Sequence, residues 1–210
     1  MVTHRRGERL VATAWFVILP RSFSACPLLV AKIGTAAGTA QYTQLPLEGG
    51  GFRVKTLFVM RHAKSDWAES GGCDFDRPLN DRGRRDLARL LDSCAVYPDQ
   101  IIASPAARAR QTAEGIARTP ESIRFEEKLY LAAPDTLMSI LHETADVDSA
   151  LVVAHNPGVE DWLSELCGAQ LRMATAALAC LHLDLKRWNA VQPGCAQLQW
   201  FVHPPPSQGA

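Results

Sequence analysis

The chain has 210 residues, of which 47% are hydrophobic and 21% are charged. This composition supplies one well-packed core and excludes a disordered or collagen-like polypeptide. The formal net charge is zero and the basic residues form no long stripe, so the sequence also lacks the electrostatic signature of a nucleic-acid-binding protein. We expect one catalytic domain whose partner is small or locally anionic.

The first 53 residues differ in composition from the rest. Residues 10–19 form an apolar run behind a basic start, which has the length of a signal-peptide hydrophobic region and is too short to span a bilayer. Three interpretations stay open: an over-extended gene start with Val54 as the true initiator, an export or targeting segment, and a folded extension. We predict that residues 1–53 lie outside the fold, that 54–204 form the domain, and that 205–210 are a disordered tail.

The six cysteines are scattered singly, with no C-x-x-C pair and no Cys/His spacing suited to zinc. This pattern predicts the reduced thiols of a cytoplasmic protein and gives no indication of a metal site. Export through the 1–53 segment remains the alternative localisation.

Strand and helix signals alternate along the rest of the chain. An apolar run at 56–60 predicts the first strand. Four apolar side chains with the i, i+3, i+4, i+7 spacing of an amphipathic helix follow, at Leu87, Leu90, Leu91 and Cys94. That helix would have Asn80 or Asp81 as its N-cap and would end before Pro98.

The later elements continue the alternation. In chain order they are a strand at Gln100–Ala103, a helix opened by Pro105 and running to about 118, a strand at 122–125, a helix at Pro134–His142, a strand at 151–154, a helix from 157 to about 168, and strands at 177–185 and 197–202. The alternation predicts an α/β fold, a three-layer α/β/α sandwich with a largely parallel central sheet.

Histidines follow two of the predicted buried strands. Arg61 and His62 follow the first strand, and His155 follows the strand at 151–154. A third strand leads into a segment that carries Arg108 and Arg110. Because ligands bind at the carboxyl ends of the strands in an open parallel sheet, we expect these side chains to share one site. Paired histidines and arginines indicate phosphoryl chemistry.

Five segments carry a pattern that goes beyond composition. They are FVMRHAKSDW at 58–67, DRPLNDRG at 76–83, SPAARARQTAE at 104–114, AHNPG at 154–158 and ATAALA at 174–179. Together they resemble the histidine phosphatase superfamily, and within it the SixA-like phosphohistidine phosphatases. The resemblance covers about residues 55–204 and implies a phosphoglycerate mutase-like fold.

The resemblance implies roles for four residues. His62 would be the nucleophile that forms a phosphoenzyme, and its attacking nitrogen must be neutral, so we expect its other nitrogen to donate to a backbone carbonyl. Arg61 and Arg108 would clamp the phosphoryl oxygens, and His155 would be a further donor. Arg108 is favoured over Arg110 because the second arginine of the family lies four residues after the serine.

Three more residues are predicted to bind phosphate or to form the pocket rim: Arg77, Asn156 and Ser104. For Arg77 a purely structural role stays equally open. Pro157 would place a helix N-terminus behind His155, where its dipole favours an anion.

Two positions depart from the wider family. Ala63 replaces the usual glycine, which favours the SixA-like branch. The general acid of many family members has no convincing counterpart, although Glu127 is the first candidate, with Glu126 and Asp135 behind it. Proton donation speeds the loss of an alkoxide by about 10² to 10⁴-fold, whereas phosphohistidine can expel neutral imidazole, whose conjugate acid has a pKa of about 6.5.

The sequence therefore predicts a metal-independent phosphohydrolase that acts on protein phosphohistidine through a phosphohistidine intermediate. The alternatives are a small-molecule phosphomonoesterase or mutase of the same superfamily and, from another class, a non-catalytic phosphate-binding module. The expected partner is a phosphorylated protein histidine or a small phosphorylated substrate. We expect no cofactor, no nucleic acid and no membrane span.

Overall fold

A computed structural model describes residues 16–18, 54–67 and 71–204. Its strands are β1 Phe16–Ile18, β2 Val54–Arg61, β3 Gln100–Ala103, β4 Ile123–Phe125, β5 Ser149–Ala154, β6 Leu178–Asp184 and β7 Ala196–His203. Its α-helices are α1 Asp81–Ser93, α2 Ala107–Ile116, α3 Pro134–His142 and α4 Gly158–Cys167. The strands form one sheet in the order β1-β7-β6-β2-β5-β3-β4.

The sheet is mixed, with a parallel half and an antiparallel half. Strands β2, β5, β3 and β4 pair in parallel, whereas β6, β7 and β1 each pair antiparallel to their neighbour. The predicted α/β fold class is confirmed. The antiparallel pairing of β6 with β7 follows from their connection, because it has only a short 3₁₀ turn at Trp188–Ala190 and no crossover helix.

Helices cover both faces of the sheet. On β2, Val59 belongs to the core beneath α3 and α4, and Met60 belongs to the core beneath α1 and α2. Both faces of the central strands are buried, and this is why the sequences of these strands are continuous apolar runs. The carboxyl ends of β2, β3 and β5 lie side by side between the two helical layers.

Local signals set most element boundaries. The Asn80 side chain accepts a hydrogen bond from the Gly83 N–H at 2.9 Å, which confirms Asn80 as the N-cap of α1. The prediction that Pro105 opens α2 is wrong: the N-cap is Ala106, the first helical residue is Ala107, and the helix ends at Ile116. Pro157 is the N-cap of α4, directly before its first helical residue Gly158, and the Asn156–Pro157 peptide bond is cis.

Strand β1 comes from the segment that the sequence analysis placed outside the domain. It pairs antiparallel with β7, with Val17 opposite Val202. The division at residues 53 and 204 stays a prediction, and the expectations for the rest of 1–53 and for 205–210 lie outside the described residues. Within the described ranges, no helix combines the length and apolar character needed to cross a membrane.

Two glycines allow helices to lie against the loops that form the site. A Cβ atom at Gly83 in α1 would collide with the backbone carbonyl of Lys64, and one at Gly158 in α4 would collide with the carbonyl of Ala132. Backbone cannot move aside as a flexible side chain can. These close approaches explain why both motifs carry glycine at these positions.

We predict that Gly83→Ala destabilises the protein by about 1–3 kcal/mol, the usual cost of overpacking a well-packed site. The matched control is Gly115→Ala in α2, where the new Cβ would meet only the end of the Leu87 side chain and alanine favours the helix. Urea unfolding of both variants measures the difference. Equal stability of the two variants would contradict the backbone clash.

Candidate active site

A cavity opens at the carboxyl ends of the parallel strands. It is lined by Arg61, His62, Lys64, Ser65, Asp74, Arg77, Arg108, Leu131, His155, Asn156 and Thr175. The structure thus brings together the two histidines and two arginines that lie far apart in sequence. A second cavity, lined by Tyr97 and Arg118, contains no histidine, so we place the chemistry in the first.

His62 is buried and held in one tautomer. Its Nδ1 lies 2.8 Å from the backbone carbonyl of Ala63, and because a carbonyl can only accept, Nδ1 carries the proton. The expected carbonyl partner is therefore present. The lone pair on Nε2 accepts from Arg108 Nε at 3.3 Å. Burial, together with the positive charges of Arg108 and Arg61, lowers the pKa of His62 to about 3, so the ring is neutral at physiological pH.

Arg108 projects from the first turn of α2 and is only 3% exposed. Its Nη1 and Nη2 donate to the backbone carbonyl and the Oδ2 of Asp74, at 2.5 and 2.9 Å. Thr112 couples this helix to the loop after β2, because its hydroxyl donates to the Arg108 carbonyl and accepts from the Ala63 N–H. The arginine and the histidine loop are thereby fixed relative to each other.

Arg61 ends β2 and is anchored on one side only. Its Nη1 donates to the Met173 carbonyl at 2.9 Å, whereas its buried Nε has no hydrogen-bond partner. An unpaired buried donor is costly unless a ligand satisfies it. A bound oxyanion would supply that acceptor.

His155 follows β5 and faces His62, with 5.0 Å between the ring centroids. Its Nε2 lies 2.8 Å from the Ser104 hydroxyl, and its buried Nδ1 has no partner. Burial, and then the charge of Arg108, lowers the pKa of His155 to about 4. Ser104 is fully buried and is not among the lining residues, so it positions His155 from behind.

Asn156 lines the cavity and links two loops. Its Nδ2 donates to Glu160 Oε1 at 2.8 Å and to the Met173 carbonyl at 3.1 Å. Since α4 begins at Gly158, the positive end of its dipole lies directly behind His155, as predicted from Pro157.

Arg77 has both a rim position and structural contacts. It lines the cavity, its Nη1 donates to Asp74 Oδ1 at 2.7 Å, and its Nη2 donates to the Ser65 hydroxyl at 2.9 Å. Its guanidinium carbon also lies 4.4 Å from the centre of the Trp67 ring. The geometry is compatible with both roles that the sequence left open.

Asp74 and Tyr130 are site residues that the sequence analysis missed. The Tyr130 hydroxyl donates to Asp74 Oδ2 at 2.7 Å. Partial burial raises the pKa of Asp74, but the hydrogen bonds from Tyr130 and Arg77 and the charge of Arg108 outweigh this effect and bring the pKa to about 2. Asp74 is therefore ionised. Asp74 lies outside the five motif segments, and no other feature of the sequence marks it.

The structure does not bring the candidate acids into the cavity. Glu127 lies in the 3₁₀ turn Glu127–Leu129 and is exposed. Glu126 caps that turn and Asp135 lies in the first turn of α3. None of the three is among the lining residues. In the described ranges, no group of three or more His, Cys, Asp or Glu side chains is placed to hold a metal ion.

Neutral imidazoles and guanidinium groups around one cavity define a site for phosphoryl transfer. The profile of the histidine phosphatase superfamily (branch 1) matches residues 57–130. An uncharacterized protein of Mycobacterium tuberculosis (strain CDC 1551 / Oshkosh) is 35% identical over 162 residues, which cover 69% of this chain and 99% of the relative. The chain belongs to the histidine phosphatase superfamily, and it is a phosphatase.

Solved structures place it near SixA. A candidate phosphohistidine phosphatase SixA from Agrobacterium tumefaciens is 30% identical, with a TM-score of 0.61, covering 71% of this chain and 98% of that chain. The protein histidine phosphatase SixA complexed with tungstate is 26% identical, with a TM-score of 0.59 and coverages of 71% and 97%. The chain is SixA-like in sequence and fold.

We predict that His62→Ala abolishes turnover and prevents any phosphoenzyme, because the nucleophile is lost. His155→Ala should slow turnover by about 10² to 10³-fold, the usual cost of one oxyanion donor, yet leave a trappable phosphoenzyme. Acid quench after reaction with a ³²P-labelled substrate measures both, and His182→Asn, outside the cavity, is the control. Acid-labile phosphate on the His62→Ala protein would contradict the assignment.

Stability should depend on pH through His62. The unfolded chain takes up a proton near the ordinary pKa of 6.5, whereas the folded chain does so only near a pKa of about 3, so stability falls as the pH drops through this window. When the pH is lowered from about 7 to about 5, the free energy of unfolding of wild type should fall by about 2 kcal/mol more than that of His62→Asn. Urea unfolding at both pH values measures this, and parallel losses in the two proteins would refute it.

Proposed function

We propose that this phosphatase hydrolyses phosphohistidine on proteins through a phosphohistidine intermediate at His62. The observation that carries the proposal is the fixed, neutral state of His62: Nδ1–H is bound to the Ala63 carbonyl at 2.8 Å, and the lone pair of Nε2 lies beside Arg108 in the cavity. Nε2 is then available to attack phosphorus in line.

The surrounding donors fit the phosphoryl oxygens. Arg108 Nε now donates to His62 Nε2, and a bound phosphoryl oxygen would take over this donor and free the lone pair for attack. The unpaired Nε of Arg61 and Nδ1 of His155 would donate to the other oxygens, His155 in the tautomer protonated at Nδ1. These donors are fixed before the reaction, so they stabilise the charge that develops on the equatorial oxygens without reorganisation.

The substrate classes differ in whether their leaving group needs a proton from the enzyme. Asp74 is the one carboxylate among the described residues that line the cavity, and its pKa of about 2 leaves it without a proton to donate. Glu127 is exposed and outside the lining. A cavity whose described lining residues include no protonated carboxyl group favours a substrate that expels a stable leaving group, and phosphohistidine expels neutral imidazole.

The relatives support the same substrate class. One structural neighbour is a protein histidine phosphatase whose structure contains tungstate, a tetrahedral oxyanion of the shape that a phosphate site binds. We further propose that the reaction is metal-independent, since the guanidinium groups of Arg61 and Arg108 supply the positive charge. A cytoplasmic location is part of the proposal and agrees with five free thiols among the described residues.

We predict that the rate follows leaving-group basicity steeply, with phosphohistidine and aryl phosphates hydrolysed and phosphoserine almost untouched. Negative charge accumulates on the departing atom when no side chain protonates it. The measurement is kcat/KM for phosphohistidine protein, substituted phenyl phosphates and phosphoserine peptide, with a chelator present throughout.

The control for that series is Glu127→Gln, which should barely alter phosphohistidine hydrolysis. A shallow dependence, with phosphoserine turned over as fast as phosphohistidine, would instead identify a general phosphomonoesterase.

A further inference from the structure

Asp74 has contacts that phosphate binding alone does not require. It lies in the loop between β2 and α1 and lines the same cavity as His62. Its Oδ2 accepts from the Tyr130 hydroxyl and from Arg108 Nη2, and its Oδ1 accepts from Arg77 Nη1. A carboxylate offers about four acceptor positions, so Oδ1 can accept one further hydrogen bond. The side chain is 34% exposed, which leaves it accessible from the cavity.

The guanidinium group of Arg108 fixes the distance between Asp74 and the nucleophile. Arg108 Nε lies 3.3 Å from His62 Nε2, and its Nη2 lies 2.9 Å from Asp74 Oδ2. The guanidinium group of Arg108 thus bridges the carboxylate and the attacking nitrogen, with one hydrogen bond to each. A phosphoryl group bound to Arg108 would lie next to His62, and the leaving group of an in-line transfer would lie beyond phosphorus.

We propose that Asp74 is a specificity-determining residue that accepts a hydrogen bond from the N–H of a phosphorylated imidazole, on the ring nitrogen that does not carry phosphorus. This role rests on the proposed function. In this role the ionised carboxylate accepts a hydrogen bond from the leaving group. A phosphomonoesterase would instead need a group that donates a proton to the leaving group.

The chemistry of the N–P bond explains why an acceptor helps. As His62 Nε2 bonds to phosphorus, the P–N bond breaks and its electron pair goes to the ring nitrogen. If the other ring nitrogen already carries a proton, that proton stays in place and the ring leaves as neutral imidazole. Without the proton, the ring would have to leave as an anion. A nearby carboxylate favours the protonated ring, so Asp74 increases the fraction of substrate that reacts.

The test compares two small substrates that share the phosphoryl group and differ in the leaving group. Phosphoimidazole carries the N–H when its ring is protonated, and 4-nitrophenyl phosphate has no such group. Asp74→Asn keeps the size of the side chain and removes its charge. We expect kcat/KM for phosphoimidazole to fall by about tenfold or more relative to kcat/KM for 4-nitrophenyl phosphate, as for a hydrogen bond to a charged group. The loss on 4-nitrophenyl phosphate measures how far Asp74 positions Arg108.

The matched control is Asp76→Asn, two residues along the same loop, exposed and outside the lining residues. It should change neither rate. An equal loss on both substrates with Asp74→Asn would show that Asp74 only positions Arg108 and would overturn the specificity role alone. A wild-type protein that hydrolyses 4-nitrophenyl phosphate and leaves phosphoimidazole intact would overturn the proposed function itself.

A second measurement uses only the wild-type protein, so it does not depend on the folding of a variant. N-phospho-N′-methylimidazolium is permanently cationic and expels a neutral imidazole, but it has no N–H to donate. After normalisation to the spontaneous hydrolysis rates, wild type should prefer phosphoimidazole by about tenfold or more. Equal normalised rates would overturn the proposal.

Discussion

The site depends on keeping His62 neutral among positive charges. The imidazole is buried, and Arg61, Arg108 and His155 stand around it, so protonation is opposed both by desolvation and by like charge. The hydrogen bond to the Ala63 carbonyl then decides which nitrogen carries the remaining proton. The same burial that makes the ring nucleophilic gathers the donors that a phosphoryl group needs. A solvated histidine with an ordinary pKa would lose much of its nucleophilic form in mildly acidic conditions.

The scaffold holds this arrangement through contacts between loops and helices. Thr112 joins α2 to the loop after β2, and Ser104 supports His155 from the end of β3. The glycines at 83 and 158 permit backbone approaches that a side chain would prevent. Several motif residues therefore support the site although they do not line the cavity. Their role is to place rigid donors before the substrate arrives, which is the basis of electrostatic stabilisation of a transition state.

Asp74 gives the cavity its selectivity in our proposal, and hydrogen bonds from Tyr130 and Arg77 stabilise its ionised form. Hydrogen bonds from both residues favour the ionised carboxylate, so the carboxylate that lines the cavity among the described residues is a hydrogen-bond acceptor. Acid catalysis would require the opposite arrangement, a buried carboxyl with a raised pKa. In our proposal, the electrostatic environment of this carboxylate is what distinguishes substrates with an N–H on the leaving group from ordinary phosphate esters.

The sequence by itself determined the α/β class, most element boundaries, and the meeting of His62, His155, Arg61 and Arg108, because buried strands, helix caps and strand-end motifs are local signals. The tertiary structure decided the antiparallel pairing of β6 and β7 and the contact of the Phe16–Ile18 strand with β7, since register depends on partners distant in the chain. It also decided the placement of Asp74 against Tyr130, 56 residues away, and the exposure of Glu127. Both carboxylates are ordinary acidic residues in sequence, and only the packing of the loops that carry them determines which one reaches the cavity.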